Sequence, residues 1–112
     1  MTLTQIKEYY VVLDVEDELI VYNAIIKDGK VEEIDWQPFY SSEDDTYCEC
    51  FHISSLEDAR KIRLKAIEEA GQYNPELDSK HIEKIFEIRK IVETSREVTT
   101  VEYEYEVNKI SL

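Results

Sequence analysis

Glycine is almost missing: Gly29 and Gly71 are the only two in 112 residues. A phosphate-cradling P-loop and a dinucleotide-binding fingerprint each need several glycines at fixed spacing, so neither can be written in this chain. Cysteine is as sparse. Cys48 and Cys50 are too few and too close together for the disulfide framework of a secreted mini-protein, and a bridge between them would be strained on an extended segment. No apolar run approaches the ~20 residues of a membrane span. The start, MTLTQIKEYY, lacks the basic-then-apolar order of a signal peptide. These absences predict a soluble, intracellular protein with no membrane partner.

Positive charge is the third shortage. Thirteen Lys and Arg face 26 Asp and Glu, a formal net charge of −13. The deficit lies in the first half: residues 1–59 hold 15 acids against Lys7, Lys27 and Lys30, whereas residues 60–112 hold 11 against 10. Such a field repels DNA, RNA and anionic membrane and raises encounter rates with basic surfaces. It also keeps a small protein soluble.

What is present describes one α+β domain over residues 1–112. The clearest segment is Ser54–Gly71. Ser54 with Glu57, and Ser55 with Asp58, are Ser-x-x-acid capping boxes, and acids in the first turn suit the helix dipole. Gly71 offers a left-handed stop. Between them Leu56, Ala59, Ile62, Ala66, Ile67 and Ala70 share one face, which predicts a helix over Ser55–Ala70 lying across a sheet. Leu64 falls outside that face. Arg63 falls inside it, where an arginine is expected to run its stem along the core edge and send its head to water or a carboxylate.

Upstream the chain reads as a meander. Tyr9, Val11, Leu13 and Val15 alternate with Tyr10, Val12, Asp14 and Glu16, which predicts one core-facing set. In the next run Leu19, Val21 and Ile25 oppose Ile20, Tyr22, Ala24 and Ile26, apolar on both sides as in a central strand. Asp28-Gly29 is a two-residue hairpin signal, Lys30–Gln37 returns, and Pro38 ends it. After an acidic loop, Cys48, Cys50 and His52 alternate with Tyr47, Glu49, Phe51 and Ile53, which predicts a fourth short strand.

Residues 80–96 read two ways. Their apolar positions cover about 220° of a helical wheel, too broad for an amphipathic helix, and Ile, Val and Thr favour strand. The absence of Gly, Pro, Asn or Asp up to Asn108 argues instead for a helix running into the last strand. The balance favours strand. In that last strand Val101, Tyr103, Tyr105 and Val107 alternate with Glu102, Glu104 and Glu106, which predicts one face on the core and one row of carboxylates. The predicted architecture is an antiparallel sheet, three or four strands in a meander, then the helix, then a C-terminal strand or hairpin, with one or two helices on one face.

Little of this supports catalysis. Cys48, Cys50 and His52 would spread over about 13 Å of a straight strand, whereas ligands of one zinc ion sit about 2.0–2.3 Å from it. His81 is a distant fourth ligand at best. The acidic clusters lack the spacing of a calcium loop, and no Ser-His-Asp pattern stands out. A small hydrolase or metal enzyme therefore rests on Cys48, Cys50 and His52 alone, and the residues predict a non-enzymatic protein without cofactor or metal.

The acids suggest a different role. Glu102, Glu104 and Glu106, with Glu16-Asp17-Glu18, Glu32-Glu33-Asp35 and Glu43-Asp44-Asp45, place carboxylates regularly enough to imitate nucleic-acid phosphates in a basic groove of a partner protein. Solvent faces of half-buried strands would look the same. Tyr, Ile and acids interleaved in this way also fit a homodimer built on edge strands. Direct nucleic-acid binding is disfavoured by charge, with only Arg60, Lys61, Arg63 and Lys65 forming a local basic face.

In size, in its wealth of Ile, Glu, Lys and Tyr and in its scarcity of Gly, the chain resembles the small orphan accessory proteins of filamentous viruses that infect hyperthermophilic archaea. The resemblance is compositional and carries over no functional residue. It implies an intracellular viral protein of the host cytoplasm, often dimeric, with inhibition of host defence or gene regulation among its roles.

Overall fold

The structure is a computed structural model that describes residues 3–39, 50–97 and 100–111. Strands β1 (Leu3–Asp14), β2 (Leu19–Lys27) and β3 (Lys30–Pro38) form the meander. Helices α1 (Leu56–Tyr73) and α2 (Ser79–Ile85) follow, then β4 (Phe86–Glu97) and β5 (Val101–Lys109). All pairings are antiparallel, in the order β3-β2-β1-β4-β5, so the first strand is the middle of the sheet. The α+β class and the meander-helix-hairpin order agree with the sequence reading.

Local chemistry explains each element. Asp28 and Gly29 both take positive φ, 53° and 75°, and close the β2–β3 hairpin between Lys27 and Lys30. Of the two capping boxes, the second is used: Ser55 is the N-cap and its Oγ accepts from the Asp58 amide at 3.1 Å. The expected stop at Gly71 is wrong. The helix runs on to Tyr73 and ends at Asn74, whose amide still bonds Ala70. Asn74 precedes Pro75, and the proline ring disfavours helical backbone in the residue before it; Asn74 is non-helical, at φ −131° and ψ 69°, so the helix stops at proline and not at glycine.

Residues 80–96 divide between the two readings. Asp78 caps α2 by accepting from the Lys80 amide, and Ile82 and Ile85 are buried at helical spacing. From Phe86 the period changes to two. The broad wheel arc came from averaging one helical turn pair with a strand. Between β4 and β5 the sequence is Val98-Thr99-Thr100, with none of the usual turn residues; Val98 and Thr99 are outside the described residues. Twelve successive pairs with β1 and nine with β5 hold β4 in register, so the ladder takes over the role of a strong turn.

The sheet has apolar cores on both faces at one end. Helix α1 places Ala59, Ile62 and Ala66 against Val12, Val21, Ile34, Phe86 and Ile88. On the other face Tyr9, Val11, Leu13, Ile20 and Ile91 gather with Phe39 and Cys50. Both sets of β1 residues are thus buried from Tyr9 onward, except half-buried Tyr10, where one core face was expected. In β2 a bulge between Val21 and Asn23 resets the alternation, so Val21, Ala24 and Ile26 share the helix side. That corrects the sequence grouping, which set Val21 opposite Ala24 and Ile26.

The expected fourth strand becomes a wedge. Strands β1 and β2 pair directly only at Leu13–Ile20 and Asp14–Leu19. Beyond that they part, and residues 51–53 fill the gap: Ile53 exchanges both backbone bonds with Tyr10, at 2.8 and 3.0 Å, and Phe51 donates to Val21 at 3.2 Å. The alternation read from the sequence survives in the wedge. Phe51 and Ile53 pack on the helix side, Cys50 joins the opposite core, and His52 stacks on Tyr9 with ring centroids 3.7 Å apart.

Candidate functional site

The far end of the sheet has no covering layer among the described residues. Leu3–Glu8 of β1, Arg96 and Glu97 of β4 and all of β5 except Tyr105 are exposed. Together these strands form a three-stranded arm that extends beyond α1, and the molecule measures 57 Å along its long axis. Strand pairing fixes what each face carries. On the helix side lie Glu102, Glu104 and Glu106, opposite Arg96, Thr94 and Val92, which in turn oppose Thr4, Ile6 and Glu8. On the other side lie Val101, Tyr103, Tyr105 and Val107.

One sequence expectation fails here. The apolar set of β5 does not pack on the core over its length: Val101 is 51% exposed, Tyr103 46% and Val107 41%. Only Tyr105 packs against the buried cluster of that face, with its ring stacked on that of Tyr103 at 6.3 Å. The glutamate row, by contrast, stands as read. All three side chains are exposed, spaced about 6.7 Å apart along the strand, and Glu106 accepts a long bond of 3.4 Å from Asn108.

β5 is an edge strand, and the two edges of the sheet differ. The β3 edge is irregular: two register shifts separate it into short runs with β2, and Pro38 closes it. β5 pairs with β4 over nine successive residues without a shift and contains neither proline nor glycine. Its outward direction follows from the ladder. Ile110 donates to Ile88 at 2.9 Å, and bonded pairs alternate along an antiparallel ladder. Glu102, Glu104 and Glu106 therefore bond inward to β4, and the backbone amides of Val101, Tyr103 and Val107 point away from the sheet.

The other acids do not join the row. Glu16-Asp17-Glu18 forms the β1–β2 turn at the opposite end of β1, about 40 Å along the strand direction from the level of Glu102. There Glu16 meets His81 at 3.1 Å, Glu18 adopts φ 54°, and the Glu18 carbonyl accepts from Phe39. Asp14, nearly buried, accepts from the Glu16 and Asp17 amides at 3.0 and 2.9 Å. Burial pushes the Asp14 carboxyl up from its ordinary value, with the two amide bonds opposing. Glu32, Glu33 and Asp35 lie on the β3 edge. Glu43, Asp44 and Asp45 are outside the described residues, as is Cys48.

Charged groups elsewhere hold the fold together. Arg63, the odd residue of the α1 face, donates from Nε to the Phe86 carbonyl at 3.0 Å and from a terminal guanidinium nitrogen to the Glu83 carbonyl at 2.6 Å. It caps the end of α2 and the start of β4, so its partners are carbonyls rather than the water or carboxylate expected. Glu87 takes Arg89 on one oxygen at 3.0 and 3.1 Å and Lys109 on the other at 2.8 Å. Burial alone would raise its carboxyl; the bonds and charges of Lys109 and Arg89 outweigh that and hold it below the ordinary value. Of the basic face considered for nucleic acid, Lys61 pairs with Glu57 at 3.6 Å and Arg63 is committed to carbonyls.

The metal reading gains no geometry. Among the described residues no three His, Cys, Asp or Glu side chains converge as metal ligands. His81 is paired with Glu16, just past the Asp14 end of β1, whereas His52 stacks on Tyr9 in the middle of that strand. Among the described residues no helix is long and apolar enough to cross a membrane. Compared with protein-family models, with curated proteins and with solved structures, the chain finds no match.

Proposed function

We propose that this chain is a small acidic interaction protein without catalytic activity, which binds a basic surface of another protein through the projecting arm. The observation that carries the reading is the row Glu102, Glu104 and Glu106, exposed on a sheet edge whose register is unbroken. A net charge of −13 adds long-range attraction to any basic partner. The compositional resemblance to archaeal viral proteins would make that partner a host protein, with nucleic-acid mimicry or inhibition of host defence as narrower forms of the same reading.

The test is capture of partners by the purified chain and by E102Q/E104Q/E106Q, washed at low and then at high salt. The reading expects a basic protein retained by the wild type, released by salt and lost with the variant, because attraction between exposed charges is screened beyond about 10 Å at 0.1 M and beyond shorter distances as salt rises. A captured set indifferent to both the row and the salt would refute it.

A second reading, self-association, is favoured by the exposed apolar face of the arm, Leu3, Val101, Tyr103 and Val107. Two arms packed face to face would cover it. Light scattering that gives a strict monomer at high concentration removes this reading.

A further inference from the structure

An unbulged edge strand is a template for another strand unless something prevents pairing. In β5 the preventing element is the glutamate row, and symmetry shows against what. In a two-fold antiparallel pair of β5 strands, opposite residues share a face, so an even-numbered residue always meets an even-numbered one. Every such register centred from Glu102 to Glu106 sets glutamate against glutamate. The row thus acts against a second copy at this edge. The same geometry invites a strand of the opposite charge pattern, whose Lys or Arg face the row while its apolar residues cover Val101, Tyr103 and Val107.

We propose that the β5 edge is a strand-addition site, which accepts as a sixth strand an extended partner segment alternating Lys or Arg with apolar residues. The inference rests on the interaction reading above and specifies its mode. Three independent features meet here: outward amides at Val101, Tyr103 and Val107, nine residues in unbroken register, and an exposed apolar stripe backing the carboxylates. Main-chain bonds supply the affinity of such a mode, and the alternating side chains supply its selectivity. No comparable site exists at β3, where two register shifts and Pro38 break the edge.

The experiment uses the full chain, isotope-labelled for amide NMR, and three nine-residue peptides. The first alternates Lys with Val and Thr. The second has the same composition with its lysines gathered at one end. The third is the first with alternate backbone nitrogens methylated along the bonding edge. The proposal expects the first peptide to bind, to shift and protect the Val101, Tyr103 and Val107 amides, and to lose about tenfold or more in affinity on methylation. The exposed variant E102K/E104K/E106K should reverse the preference to a Glu-alternating peptide.

Equal binding of all three peptides would overturn strand addition while leaving the charge reading intact. So would binding of none, if capture of a salt-released partner still depends on the row. Failure of both experiments would sink both ideas. A wild-type dimer that already protects these amides would give the edge to a second copy and overturn the proposal.

Discussion

The covered half of the sheet and the projecting arm are built from the same strands, with the same β-branched and aromatic residues and the same period of two. In β1, Val11 and Val12 are 0% exposed, whereas Ile6, a few residues earlier on the same strand, is 69% exposed. What differs is the layer above and below. Over Tyr9–Asp14 helix α1 closes one face and Phe39 with Cys50 closes the other; over Leu3–Glu8 neither reaches. Alternation records that a strand has two faces, and it does not record whether anything lies on them.

The sharpest test of that contrast removes the same atoms in both regions. Ile88→Ala, at the centre of the helix-side core, should cost about 2–5 kcal/mol through lost burial and a residual cavity, whereas Ile6→Ala should stay within about 0.5 kcal/mol. Urea unfolding of the two variants decides it, and equal losses would mean that the arm is packed as tightly as the core. Arg63→Ala comes next. It leaves the Phe86 and Glu83 carbonyls without their donor at the junction of helix and sheet, an expected loss of about 1–3 kcal/mol. A loss below about 0.5 kcal/mol would make the clamp dispensable.

Ser55→Ala should cost about 1 kcal/mol, because its hydroxyl oxygen is the acceptor for the Asp58 amide. Ser54→Ala should cost almost nothing, since Ser55 is the N-cap and Ser54 lies before it. Thermal melts of the two separate the capping boxes that the sequence left equivalent.

Acid titration reports on the covered half in two opposite directions. Glu87 is held below its ordinary value of 4.5, so its bonds to Arg89 and Lys109 contribute stability present above about 4.5 and lost as pH falls through the folded value. Asp14 is raised above 3.8, so its contribution is fully present below 3.8 and lost as pH rises through the folded value. The stability deficit of E87Q relative to wild type should therefore shrink on going from pH 6 to pH 3. D14N should gain on wild type over the opposite direction. A constant deficit for E87Q would show that its partners do not discriminate charged from neutral carboxyl.

Much of the framework was legible because its signals are local. Asp28-Gly29 needs two positive φ values, which few other pairs supply, and Ser55 lies three residues before the amide it caps. The misses arose where a distant partner decided. Gly71 stays helical because nothing contests it until Pro75. The grouping of Val21 with Ala24 and Ile26 depends on a bulge that only the β2–β3 register reveals. Residues 80–96 carried two periods in succession, and a single wheel averaged them. The glutamate row was legible as a row, yet its place on an unbroken edge required the strand order. The apolar stripe beside it read as core because Val, Tyr, Tyr and Val at alternate positions are what a buried face uses.

Only a small effect on stability is expected from the row itself, and that smallness is informative. Three carboxylates about 6.7 Å apart on one face repel each other weakly through water, so E102Q/E104Q/E106Q should leave the unfolding free energy within about 0.5 kcal/mol of wild type, on the stabilising side. If the row acts against self-pairing, the same variant should associate with itself at concentrations where the wild type does not, because neutral glutamines facing each other across an edge no longer repel. Sedimentation of the two proteins side by side reads this. A variant that is neither less stable nor more associated would mean that the edge is guarded by something other than charge, and the arm would then have to be understood through its apolar face alone.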